Sequence, residues 1–213
     1  DQLVSALGKE DHAMLLDCRS LTYQYASIPT DLSLVIVNSN VKRGLVDSEY
    51  NTRRTQCEEV AKFFGKPALR DVTTEQLQQS KEQIDGVLFQ RALHVVTEND
   101  RTEQALLALN ANDMVTMSQL MRESHMSMKN DFAITTKEID YLVEIIYQEL
   151  GDKGGVRMTG GGFGGCLVAL CPHDMVDAVN VQIKTHYTQQ SGLKATVYRC
   201  SAEQGAQVLL ADF

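Results

Sequence analysis

Residues 157–166 read RMTGGGFGGC, five glycines in six consecutive positions, and this run limits the chain more than any other segment. Short apolar stretches at 156–159 and 166–170 bracket it, each the length of a strand. A hairpin turn uses glycine where φ must be positive, but two or three would normally serve. Two uses stay open. The run is either a turn with several positive-φ positions, or a bare backbone that approaches a ligand. In the second case, successive N–H groups line an anion-sized concavity or lie against a sugar. A dinucleotide fingerprint and a Walker loop both require a helix after the glycines. Here a strand follows and no Lys-Ser pair is present, so neither pattern fits. Phe163 is the lone side chain in the run and is expected to turn inward as an anchor.

The rest of the chain supplies a sheet for this hairpin. Residues 33–38 (SLVIVN) form a β-branched-rich strand, and 13–18 (AMLLDC) a weaker one. The period then switches: Tyr50, Cys57, Val60, Ala61 and Phe64 recur at helical spacing, with Ser48 as cap and Gly65 as stop. Thr74 opens a short turn, and helices are expected over 84–109 and 113–128. Another begins at a capping box of Thr135 and Glu138. Pro172 precedes a helix over 173–189, and 195–200 (ATVYRC) is a last strand. With the helical middle set aside, the order is β-α-β-β-α-β. The expected fold class is α+β: a split, ferredoxin-like antiparallel sheet with helices on one face and a helical insert.

Composition narrows the partners. A net charge of -8, from 20 basic and 28 acidic residues, argues against a nucleic-acid surface. No apolar run approaches the roughly 18 residues of a membrane span, so neither a membrane partner nor a secretory leader is expected. Five widely spaced cysteines without a CxxC read as reduced, buried thiols of a cytoplasmic protein. Met114, Met117 and Met121 share a helical face with Leu120 and are expected to fill core, since no Cys/His cluster accompanies them. The five histidines lack metal spacing or an obvious carboxylate or nucleophile partner and are expected to be structural or exposed.

The opening DQLVSALG reads like the inside of a helix, with Leu3, Val4 and Leu7 on one face and Gly8 as its end. A helix without a start signal implies a preceding segment, and apolar surface at these three residues. Among polar residues, Asp1 would ordinarily face solvent. Asp17 and Arg19 could pair with each other. Asn38, Ser39 and Asn40 with Arg43 make a polar strand-end loop, toward which Tyr50 could point its hydroxyl. A tyrosine on an amphipathic helix is more often core.

Taken in order, DQLVSALG, HAMLLDCRS, VNSNVKR, SEYNTRRTQCEE and RMTGGGFGGC resemble the galactokinases, a family of the GHMP small-molecule kinase superfamily. The resemblance runs from Asp1 almost to Phe213. It implies two lobes with the active site between them, and transfer of the ATP γ-phosphoryl group to the C1 hydroxyl of α-D-galactose with Mg2+. It assigns Asp1 as catalytic base and Tyr50 as a sugar contact. Gly160, Gly161, Gly162, Phe163, Gly164 and Gly165 become a wall beside the sugar and the transferred phosphate. Residues 1–30 would be the end of an N-terminal lobe and its junction, and 31–213 the C-terminal domain. The family's N-terminal sugar motif, its Gly-Leu-Ser-Ser-Ser phosphate loop and its magnesium ligands have no counterpart here. ATP, Mg2+ and much of the sugar contact would therefore depend on an upstream lobe, with no metal ligand in this chain, which is expected to be inert alone. Related readings are an N-acetylgalactosamine kinase and a non-catalytic sugar sensor.

Overall fold

The computed structural model describes residues 2–42 and 46–207, the side chains of 46–48 excepted. Helix α1 (Gln2–Leu7) precedes a hairpin of β1 (His12–Leu16) and β2 (Tyr23–Ser27). Strand β3 (Leu32–Asn38) leads into helix α2 (Val46–Phe63). Four helices follow: α3 (Thr74–Gln79), α4 (Gly86–Asn110), α5 (Met114–Asn130) and α6 (Lys137–Leu150). Strands β4 (Gly155–Thr159) and β5 (Cys166–Pro172) bracket the glycines. Helix α7 (Val176–Gln182) passes through a π turn, Ile183–Tyr187, into α8 (Thr188–Ser191), and β6 (Thr196–Cys200) completes the sheet. Its order is β4-β5-β3-β6 with every neighbour antiparallel. That is the split sheet expected from sequence, but its first covering helix is α6, which packs on β4 and β5, whereas the helix expected there, α2, packs on α4 in the insert.

Alternation along β3 decides what each face buries. Val35 and Val37 pair with Ala169 and Leu167, and all four are fully buried. They meet Ile139, Leu142 and Ile146 of α6, and Val179 and Tyr187 beyond it. Each such aliphatic side chain contributes about 1.5–3 kcal/mol on burial. The insert has a core of its own, in which Val60 of α2 and Leu77 of α3 meet Phe89 and Val96 of α4. On the second face of the sheet, Leu34 and Leu170 pack with Leu109 of α4 and Met121 of α5. Met121 fits because β4 begins with Gly155, where a Cβ would stand 2.6 Å from its sulfur. Met114 and Met117 join the same cluster, so the methionine face packs as core.

Several local expectations shift. The 13–18 strand stops at Leu16, where the Asp17 carboxylate accepts the N–H groups of Arg19 and Ser20 and bends the chain. Its partner β2 has little apolar pattern (YQYAS) and is held by its register with β1. The side chains of Asp17 and Arg19 do not pair with each other. Asp17 binds Arg70 at 2.7 Å and Arg19 binds Asp71 at 2.8 Å, which pins the hairpin turn to the insert. Helix α6 is capped one residue later than expected: Thr136 accepts the Ile139 N–H at 3.3 Å. Helix α2 starts two residues ahead of Ser48, whose side chain lies outside the described set. Cys18 and Cys200 are exposed rather than buried, and Tyr50 is 59% exposed rather than core.

The segment after β6 returns to the start of the chain. Ala202 accepts the Asp11 N–H, Gly205 donates to the Gly8 carbonyl at 2.8 Å, and Ala206 donates to Ser5 at 3.0 Å. Gly205 permits this approach, since a Cβ there would lie 2.7 Å from the Gly8 nitrogen. Val4 and Leu7 of α1 remain exposed.

Candidate functional site

Three loops meet at one end of the sheet. The glycine run joins β4 to β5, residues 39–42 follow β3, and residues 131–136 connect α5 to α6. Gly160, Gly162, Gly164 and Gly165 all have positive φ, and so does Phe163 at +56°. The run is divided by burial. Gly160 and Gly161 are exposed, whereas Gly162 and Gly164 are buried. A Cβ on Gly162 would stand 2.6 Å from the Ile134 carbonyl, and one on Gly164 3.1 Å from Val41. The base of the loop is therefore bare because its own chain presses on it, and only the crown is free to meet a ligand. Phe163 turns inward onto the main core, as expected, and its N–H donates to the Ile134 carbonyl at 2.6 Å.

The strand-end loop is fixed from both sides. Ser39 donates its N–H and its hydroxyl to the Gly165 carbonyl at 2.9 and 2.7 Å. Beneath it, the fully buried Tyr187 donates its hydroxyl to the Ser39 carbonyl at 2.8 Å. The π turn sets Tyr187 at that depth, and burial raises its hydroxyl pKa. Asn40, at φ +56°, donates its amide to the Lys194 carbonyl.

The third loop is held by two arginines that sequence reasoning did not single out. Arg53 donates Nε to the Phe132 carbonyl at 2.7 Å and Nη2 to the Ala133 carbonyl at 3.1 Å. Arg91 donates to the Asp131 carbonyl. Both are buried, and desolvation followed by the nearby Arg53 charge lowers the Arg91 pKa. A signal existed, since Arg53 falls three residues after Tyr50 and four before Cys57, on the stripe read as apolar.

Of the expected site residues, Tyr50 lies one helical turn from Arg53. It lines a cavity of about 400 Å³ with Arg53, Arg54, Asn99 and Phe132. None of the glycines lines that cavity. Asp1 and Arg43 lie outside the described residues. Among the described residues, no three His, Cys, Asp or Glu side chains gather to hold a metal ion.

Two histidines support the loops. His125 of α5 accepts the Met158 N–H, which points away from the sheet at the edge strand β4, at 3.4 Å. Its other nitrogen faces Asp140 at 3.3 Å, the carboxylate partner that sequence spacing did not suggest. His94 bonds Ser127 at 3.0 Å and stacks on Phe132 with centroids 4.4 Å apart. Burial lowers its pKa from 6.5 to about 4. A depressed histidine contributes stability above its unfolded pKa, and that contribution is lost as pH falls toward the folded one. Denaturant melts should therefore lose up to about 3 kcal/mol between pH 6.5 and 4 in a way that His94→Asn abolishes. Identical pH profiles for the two proteins would show that His94 is not held neutral.

The family model described as GHMP kinases C terminal matches residues 105–189. Lactococcus lactis galactokinase, solved in complex with galactose, is 33% identical with a TM-score of 0.91, covering 98% of this chain and 55% of that one. L. major mevalonate kinase in complex with R-mevalonate shares the fold at 18% identity and a TM-score of 0.56, over 91% of this chain and 50% of that one. Homoserine kinase from Cytophaga hutchinsonii shares it at 13% identity and a TM-score of 0.51, over 90% of this chain and 49% of that one. The chain spans about half the length of each of these relatives.

Proposed function

From a chain that belongs to the GHMP kinase superfamily, as a galactokinase-like C-terminal domain, we propose that it forms one side of a sugar-kinase active site. The parent enzyme moves the γ-phosphoryl group of ATP to the C1 hydroxyl of α-D-galactose. The observation that carries this reading is 33% identity to a galactokinase across nearly the whole chain. The form of the glycine run supports it: an exposed crown on a base fixed by Ile134 and Val41 is a rigid backbone wall.

In this reading Asp1 orients the sugar hydroxyl and accepts its proton, because an alcohol is a weak nucleophile at neutral pH. Tyr50 exchanges a hydrogen bond with one sugar hydroxyl, which favours the epimer that satisfies it. The exposed glycine crown admits the sugar closely and offers N–H groups to charge developing on the phosphoryl oxygens. Magnesium bound with ATP would supply neutralisation of phosphate charge, and its ligands would come from the rest of the parent enzyme. The five cysteines are free thiols, which suits a reducing cytoplasm.

The test is galactose-dependent ADP release by the intact parent with ATP and Mg2+, and by this chain alone, which should be inert. Tyr50→Phe in the parent should raise the sugar KM about tenfold and leave ATP affinity unchanged, the loss of one hydrogen bond. Equal losses for both ligands, or none, would remove Tyr50 from the sugar site. Preference for N-acetylgalactosamine would redirect the substrate, and sugar binding without ADP release would mark a sensor.

A further inference from the structure

The loop that connects α5 to α6 touches the proposed wall without contributing to its exposed surface. Ala133 sits in the left-handed region at φ +52°, a conformation that a side chain with a Cβ disfavours. Such strain persists only where surrounding contacts enforce it. Here two guanidiniums grip three consecutive carbonyls, Asp131 from Arg91 and Phe132 and Ala133 from Arg53. The next carbonyl along, Ile134, accepts the N–H of Phe163, which is itself left-handed at φ +56°. Two strained residues thus lie on either side of one hydrogen bond, and the loop side is held by the arginines together with the Ile134 N–H, which donates to the Met128 carbonyl at 3.1 Å. Arg53 is buried and spends its donors on backbone carbonyls, with Glu49 3.4 Å from the remaining Nη1. Its place one turn from Tyr50 fixes that helix to the same loop.

We infer that Arg53 is a positioning residue: by holding Ala133 left-handed it aims the Ile134 carbonyl, and so sets the glycine run against the reacting groups. Without the grip, only the Ile134 N–H bond to the Met128 carbonyl opposes relaxation of Ala133 toward negative φ, and the Ile134 carbonyl loosens from Phe163. Arg91 braces the preceding carbonyl, and its Nε is a buried donor with no hydrogen-bond partner among the described residues. The kinetic consequence rests on the kinase reading above, whereas the mechanical one does not.

Two measurements separate them. Hydrogen exchange on this chain should show the Phe163 amide opening about tenfold faster in Arg53→Met, the factor that corresponds to about 1.4 kcal/mol. Amides of Val35 and Val37 in the central strand should keep their protection. Ala133→Gly, added to Arg53→Met, removes the φ penalty and should restore most of that protection. In the intact parent, Arg53→Met should lower kcat about tenfold with sugar KM changed less than about threefold, and the same glycine should recover much of the loss. Ala133→Gly alone is the control, because glycine at positive φ stabilises any background: a gain in Phe163 protection as large there as in Arg53→Met would overturn the inference. Unchanged Phe163 exchange, or no rescue by Ala133→Gly, overturns the inference. Should Arg53→Met not fold, Arg53→Lys keeps the charge with a single-headed donor. It should show the same rescuable opening, and wild-type exchange in it would be equally fatal. A wild-type parent without sugar-dependent turnover would sink the kinase reading, and the exchange experiment would still decide the grip.

Discussion

Gly162→Val should destabilise the chain by about 4 kcal/mol or more, lowering its thermal midpoint by about 10 °C or more. Two penalties combine. The position has φ +84°, where a β-branched residue is strained, and its Cβ would stand 2.6 Å from the Ile134 carbonyl. Backbone on both sides prevents either from yielding cheaply. Gly161→Ala is the counterpart, since Gly161 is exposed and is not among the glycines with positive φ. That change should leave stability within about 0.5 kcal/mol while lowering turnover of the intact parent. Thermal melts of the chain alongside turnover of the parent distinguish the two. Wild-type stability in Gly162→Val would contradict the packing described here, and full turnover in Gly161→Ala would remove the crown from the site.

Replacing the proposed base has the larger effect on chemistry. Asp1→Asn in the intact parent keeps size and hydrogen bonding but cannot take a full proton. Turnover should fall by about 10²–10⁴, with galactose and ATP affinities largely kept. Calorimetry for the ligands and single-turnover kinetics for the chemistry provide the comparison. Near wild-type turnover would mean that another group accepts the proton, or that phosphoryl transfer proceeds without an essential base.

What could be read in advance followed the physical range of each signal. Alternation in β3 and the four-three-four spacing of Ile139, Val143, Ile146 and Leu150 are local patterns, and they specified the sheet and its covering helix. The capping residue of α6 came out one position off because Thr135 and Thr136 offer the same hydroxyl, and backbone conformation alone selects Thr136. Strand β2 was missed because its order comes from pairing with β1 rather than from its own side chains. The glycines looked uniform in sequence, yet two are bare for internal packing, and that depended on Ile134 and Val41, both distant in the chain. Arg53 and Arg91 were missed for a related reason. A charge on an apolar stripe is legible, but the carbonyls it binds, some 80 and 40 residues away, are not.

The return of residues 202–206 to α1 has a consequence in time. Gln204 and Gly8, joined through the Gly8 carbonyl, are 196 residues apart. At about 5–20 residues per second, roughly 10–40 seconds of synthesis separate the two. During that interval the Gly8 and Ser5 carbonyls lack the N–H donors of Gly205 and Ala206 that close this seam in the folded domain. The seam between residues 5–11 and 202–206 is therefore a late contact of synthesis, formed only when the domain between them is complete.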